Sequence, residues 1–321
     1  MKFFAILLTF LLCILNINYA ICSKCDFEQL YSYTCKIKPD SSSINEKHDD
    51  AKTDNDVETT EFDGNDNEDL FQLDLSPFCQ RFKNMAEVNV NNVKFISENS
   101  FQKCKNLKEI WIEDAEMEEI PENLFSNQSN LIQIIFKNGK LKAIPENTFK
   151  NQKKLEHLNL EINKISCLPP NIFKSLIKLT KLNLRENKIQ SLNPKWFENL
   201  HSLRTLWLNI NKIRDLPKNV FVNLKNLNKL YLNDNQLTAL HSDSFGIHRY
   251  LEIIGLKNNR IDAIDERIIN NSAVKKLDMI GNVCSTEDIE RSDKLKEKLS
   301  NCFKNYQPSD QPREQSMLFC I

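Results

Sequence analysis

Residues 155–176 read LEHLNLEINKISCLPPNIFKSL, with apolar side chains at offsets 0, 3, 5, 10 and 13 from Leu155, an asparagine at offset 8 and a phenylalanine at offset 18. The same frame restarts at Leu107, Leu131, Leu155, Leu179, Leu203, Leu227 and Leu251, every 24 residues. A 22-residue turn precedes them from Met85, and a partial one follows from Val274. Self-similarity at a fixed period marks a repeat architecture, in which each unit is too small to bury its own apolar face and stacks on its neighbours. The expected structure is an α/β solenoid of about eight full turns and one partial turn.

Each offset has an expected role. Offsets 3 and 5 share one face of a short strand, so the strands of successive turns pair in parallel about 4.8 Å apart. At offset 8, Asn163, Asn187, Asn211, Asn235, Asn259 and Asn282 turn the chain off the sheet. An amide there carries both donors and acceptors, and is expected to satisfy backbone groups of its own and the next turn. Phe125, Phe149, Phe173, Phe197, Phe221 and Phe245 at offset 18, with Ile269 closing the row, form a spine on the convex side. Pro121, Pro145, Pro169 and Pro217 keep the return path extended. Val93, Ala115 and Gly139 stand in place of the asparagine in the first three turns, which need another hydrogen-bond source and are expected to be the less regular end.

Over residues 85–283 the chain resembles the extracellular leucine-rich repeat (LRR) family, in its 24-residue subtype, and is similar to secreted insect members. The resemblance implies a right-handed superhelix shaped as a horseshoe, with a parallel sheet on the concave face and a mostly irregular convex side. It also implies cysteine-bearing caps. CSKCDFEQLYSYTC, with Cys79, is similar to an N-terminal cap, with Cys25 paired to Cys35 and Cys79 to Cys104. GNVCSTEDIERSDKLKEKLSNC is similar to a shortened C-terminal cap, with Cys284 bridged to Cys302 across one amphipathic helix.

The flanks set the compartment. Residues 1–20, MKFFAILLTFLLCILNINYA, read as a secretory signal peptide, with an uncleaved anchor as the alternative. Residues 21–39 then form the N-terminal cap, 40–76 an acidic loop, 77–283 the solenoid, 284–303 the C-terminal cap and 304–321 a flexible tail. Nine cysteines remain once Cys13 is removed, and in an oxidising compartment they read as disulfides rather than metal ligands. The odd count leaves Cys22, Cys167 or Cys320 without an internal partner. Cys167 on a turn beside the core reads as a buried thiol, and Cys320 in the tail as a link to another chain. Asn127 and Asn270 head glycosylation sequons on the convex or lateral side.

Net charge is −1 overall, yet residues 40–76 carry 13 acids against Lys47 and Lys52, a net of −11, while residues 85–283 carry 29 basic and 22 acidic residues, a net of +7. The acidic stretch has too few large apolar residues to offset the entropy of ordering it and is expected to be disordered. It is also the nearest acidic segment able to screen the basic half of the solenoid.

The outward strand positions, offsets 2, 4, 6 and 7, make the concave surface by which this family binds macromolecules. Offset 4 contributes Trp111 and Ile135 as one apolar patch; Trp207 and Tyr231, flanked by Ile210 and Ile253, form a second. Clustered exposed aromatics carry most of the energy of many interfaces. Lys181, Arg185 and Lys229 make the later turns basic, which steers an acidic partner toward them. No nucleophile elbow, phosphate loop or zinc-protease helix occurs, and the five histidines lie singly. The expectation is a secreted protein without catalytic activity or cofactor, binding an extracellular protein or glycoconjugate, with no nucleic acid partner and no membrane span. The resemblance implies innate immunity or receptor signalling as the setting. The alternative is a matrix or assembly component, a disulfide-linked oligomer joined through Cys320.

Overall fold

The computed structural model describes residues 21–26, 33–38, 57–63, 75, 79–80, 83–270, 273–285, 288–290 and 295–307. The expected signal peptide and most of the tail and of the acidic loop lie outside these residues; the first residues of the expected tail, 304 and 305, are helical.

Alternation of inward and outward side chains appears as short parallel strands, one per turn. They are β4 (Glu87–Asn91), β5 (Glu109–Glu113), β6 (Gln133–Lys137), β7 (His157–Asn159), β8 (Lys181–Asn183), β9 (Thr205–Trp207), β10 (Lys229–Tyr231), β12 (Ile253–Gly255) and β14 (Lys276–Asp278). They pair in sequence order at a constant register, Leu158 on Leu182, Leu182 on Leu206, Leu206 on Leu230. The fold is a leucine-rich repeat solenoid with little helix. Leu206 on β9 and Leu208 just after it are wholly buried, as are their counterparts Leu182, Leu184, Leu230 and Leu232, so one continuous core runs along the stack.

Two features extend the sheet at its ends. Ahead of β4 lie β1 (Ile21–Asp26), β2 (Tyr33–Lys38) and β3 (Val57–Asp63). The first two are antiparallel, with Cys25 opposite Cys35 in register, and β3 runs parallel to both β2 and β4. The Cys25–Cys35 bond itself falls on side chains outside those described. β3 corrects the expectation of disorder for seven residues of the acidic stretch: VETTEFD is rich in strand-forming residues, and the exposed edge of β4 supplies the partner its composition lacks. After β14, β15 (Asp288–Glu290) returns antiparallel, while β11 (Ala239–Leu240) and β13 (Ala263–Ile264) pair in parallel as a separate two-stranded sheet.

The asparagine ladder is present, with its direction reversed from expectation. Asn211 Oδ1 accepts from the Ile189 amide at 3.0 Å, and its Nδ2 donates to Leu184 O at 2.9 Å and to Leu208 O in its own turn at 3.1 Å. Ile189 and Leu184 belong to the preceding turn. The same bonds recur from Asn163 to Asn282. The bend of each turn folds back over the one already laid down, so the amide meets its predecessor.

The first three turns are not less regular; β4, β5 and β6 run five residues against three in β7 to β10. Their bends are held by backbone bonds, among them Glu116 N to Val93 O at 2.8 Å and Lys140 N to Ala115 O at 3.1 Å. Gly139 is required for close approach, since a Cβ there would lie 3.0 Å from both Ala115 O and the Asn163 amide oxygen.

On the convex side the phenylalanine spine is buried, with Phe101 extending it by one turn and neighbouring rings 5.5–6.2 Å apart where they pack in pairs. Ile269 at its end is only half-buried. On the return path Pro121, Pro145, Pro169 and Pro217 each stand at the entry to a tight turn, their carbonyls accepting the amide three residues on.

Both caps carry their expected bridges, Cys79–Cys104 and Cys284–Cys302. The second spans more than one helix. β15 comes first, then two short helices, α3 (Leu295–Lys298) and α4 (Ser300–Asn305), which follow α1 (Ser242–Phe245) and α2 (Arg267–Asn270). Leu299, at φ −93° and ψ 5°, separates them and is buried, as is Cys302.

Candidate functional site

Strand pairing places the concave residues in rows. Asn89, Trp111 and Ile135 are adjacent in register, as are Asn159, Asn183 and Trp207, then Tyr231, Gly255 and Asp278. Because β9 and β10 are in register, Trp207 and Tyr231 stack, with ring centroids 6.1 Å apart and planes 12° from parallel. Both are partly exposed. At the next position Gly255 has no side chain, and Asn233 leans across it to accept the Lys257 amide at 2.9 Å. The aromatic pair therefore ends at Tyr231.

Ile210 borders the pair and is 37 % exposed. Its backbone is left-handed, φ 56°, a region that β-branched residues rarely enter. The position before the ladder asparagine has positive φ in every turn: Asn92, Asp114, Asn138, Ile162, Glu186, Ile210, Asp234, Asn258 and Gly281. This row of bends was missed in the sequence, although six of its nine residues are the Asn, Asp and Gly that tolerate such a backbone. Ile162 and Ile210 are the β-branched exceptions.

The first apolar patch is smaller than expected. Ile135 is 9 % exposed, packed in register beside Trp111, and offers little area to a partner. Trp111 remains partly exposed, and its indole Nε1 donates to Glu109 Oε2 at 3.4 Å. Ile253 is also partly exposed, one strand beyond Lys229 in register. The third tryptophan, Trp196, is buried in a short 3-10 turn, where its Nε1 donates to Leu168 O at 3.2 Å.

Between the apolar positions the face is a satisfied polar network. Glu161 accepts from Asn159 and Asn183 and lies 3.8 Å from Arg185, which also pairs with Glu186 at 3.2 Å. Arg185 is thus engaged within the chain. Lys181 and Lys229 are exposed and form no salt bridge among the described residues, so they are the cations that face solvent. His157 Nδ1 donates to Gln133 Oε1 at 2.9 Å; burial and then Lys181 hold its pKa below the usual value. At the N-terminal end burial raises the pKa of Glu87, with Glu109 adding to it and Asn89 opposing. One end of the face is acidic and the other basic.

The chain's own acidic segment is fixed at the acidic end by β3. At a strand spacing of about 4.8 Å, β10 with Lys229 lies seven steps away, about 34 Å. Residues 39–56 join β2 to β3, and eighteen residues running out and back reach at most about 31 Å. Self-screening of Lys229 by that stretch is beyond its reach.

Among the described residues no group of His, Cys, Asp or Glu is arranged to hold a metal ion, and no helix is long and apolar enough to cross a membrane. Asn127 and Asn270 are exposed. Cys167 corrects a reading from sequence: it is disulfide-bonded, not a free thiol, and its partner is a cysteine whose side chain is not described.

The family model for BspA-type leucine-rich repeat regions matches six copies over residues 76–204 and 166–289. The chain belongs to this family. Among solved structures the LRR protein is similar to the APL1 leucine-rich repeat domain, at 16 % identity and TM-score 0.51, over 82 % of this chain and 77 % of that one. It is similar to the LRIM1/APL1C complex at 16 % and 0.51, over 77 % of this chain and 53 % of that one. A complex of TLR13 with ssRNA13 follows at 22 % and 0.55, over 72 % of this chain and 37 % of that one. No curated protein matches the chain in sequence. At these identities the likeness concerns the fold.

Proposed function

We propose that this LRR protein is a secreted, non-enzymatic recognition protein that binds an extracellular protein or glycoconjugate through the later turns of its concave face. The observation that carries the reading is the stacked Trp207–Tyr231 pair. It is stacked, partly exposed, on the later strands of the sheet, and excluded from the repeat's own core scheme. Ile210 supports it: an exposed isoleucine held at positive φ costs stability without contributing to the core, a pattern found where backbone strain serves a site. Lys181 and Lys229 flank the pair and favour an acidic partner surface. Trp111 forms a secondary contact, with Ile135 behind it. Glycans on Asn127 and Asn270 would leave the concave sheet clear. Innate immunity or receptor signalling is the proposed setting, in keeping with the family resemblance.

The test is capture from extracellular fluid by the wild type and by a Trp207→Ala, Tyr231→Ala double variant, both confirmed folded. Loss of a specific band in the variant supports the site. Equal capture refutes it, and sensitivity of capture to glycosidase treatment distinguishes a glycan ligand from a protein one.

A further inference from the structure

The one covalent bond of the solenoid flank without a described partner points to an intramolecular strap. We infer that Cys167 is joined to Cys320, a bond that ties the C-terminal end of the chain to the third 24-residue turn.

Cys79, Cys104, Cys284 and Cys302 are already paired among themselves, which leaves Cys13, Cys22, Cys25, Cys35 and Cys320 for Cys167. Cys22 and Cys25 are fixed on β1 and Cys35 on β2 by hydrogen-bonded register. The turn of Cys167 begins at β7, five strand steps from β2 and six from β1. Along the stacking axis alone those separations are about 24 and 29 Å, whereas disulfide-bonded Cα atoms lie within about 7 Å. Cys13 belongs to the segment expected to be removed on secretion.

Cys320 has both direction and reach. The cap does not end pointing away from the repeats. Asn305 Nδ2 donates to Asp262 Oδ1 at 2.8 Å, and the Tyr306 ring packs 5.6 Å from His241, one turn further back. His241 and Cys167 occupy nearly the same offset, three turns apart, about 15 Å along the stack. The fourteen residues 307–320 span up to about 46 Å, ample for the path. Exposed Lys188, Lys212 and Arg214 belong to the turns between Cys167 and His241, and the segment carries Asp310 and Glu314.

The bond forms by exchange with a protein disulfide donor of the secretory compartment. Cys167 thiolate attacks the donor to give a mixed disulfide and one donor thiol. Cys320 thiolate then displaces the second donor sulfur, so two protein thiols are oxidised and one donor disulfide is reduced to a dithiol. The bond also consumes the cysteine that would link chains.

The experiment uses the secreted full-length protein, alkylated without reduction, digested with trypsin and analysed by mass spectrometry. Fragment 165–174 joined to fragment 314–321 is expected, and reduction should separate them. In a native digest, cleavage after Arg313 should release no mass until reductant is added. A Cys320→Ser variant should stay monomeric with Cys167 newly open to alkylation. Alkylated Cys167 in the wild type, Cys167 joined to any other cysteine, or a reducible dimer through Cys320 would each overturn the strap.

Discussion

Replacing Asn211 by alanine removes a side chain 8 % exposed that serves three backbone groups at 3.1 Å or less, the Ile189 amide, Leu184 O and Leu208 O, and Asn209 O at 3.4 Å. A buried polar group stripped of its partner costs about 1–3 kcal/mol. Carbonyls retain a second lone pair, so the lower half of that range applies, and three groups together give about 3–6 kcal/mol. With a urea m value of about 3 kcal/mol/M the midpoint should fall by about 1–2 M. Lys212→Ala, exposed on the same bend, should move it by no more than about 0.2 M. Urea titration followed by circular dichroism and tryptophan fluorescence gives both numbers. A loss below about 1 kcal/mol for Asn211→Ala would mean that water replaces the amide, and the account of the ladder would fail.

Ile210→Asn should raise stability by about 1 kcal/mol through relief of the left-handed strain, read as a higher Tm, while weakening capture of the partner; lower stability would refute the strain argument. Phe197→Ala, in the middle of the spine, should cost about 3–5 kcal/mol in the same urea assay. Asp265 is 4 % exposed; burial pushes its pKa up, but bonds from Arg267 and the Ser242 hydroxyl outweigh this and bring it down from 3.8 to about 2. A depressed carboxylate stabilises the fold above its unfolded pKa and loses that contribution as pH falls through the folded one. The gap in Tm between wild type and Asp265→Asn should therefore be full above pH 4 and close between pH 4 and 2. A gap independent of pH would show that the carboxylate's charge is not what holds Ser242 and Arg267 to it.

Most of the solenoid could be read from its period because the residues that repeat are those whose chemistry leaves no alternative. Leu206 and Leu208 must be buried, and Asn211 must meet backbone groups; only its direction escaped, since a linear frame does not say which neighbour a bend leans on. The left-handed row was hidden by its own exceptions, because Ile162, Glu186 and Ile210 interrupt the run of Asn, Asp and Gly in the middle turns. β3 was misread because composition measures what a segment can bury alone, while its stability comes from the waiting edge of β4. On the concave face, strand alternation fixed that Trp207 and Tyr231 point outward and in register. It could not tell how far each side chain sinks between neighbours, so Ile135 was taken as exposed. The bond at Cys167 joins positions far apart in the chain, and nothing local announces it.

The backward reach of the asparagines gives the molecule a direction of assembly. Each turn hands its buried amide and carbonyl groups to the turn that comes after it, and the last handover is made by Asn282, from the partial turn to Ile261 and Leu256. A chain emerging from the ribosome therefore always ends in one unfinished turn, completed only when the next 24 residues arrive. The partial turn is a terminator in this scheme: it closes the debt of its predecessor and passes the remaining apolar end to the disulfide-bonded cap.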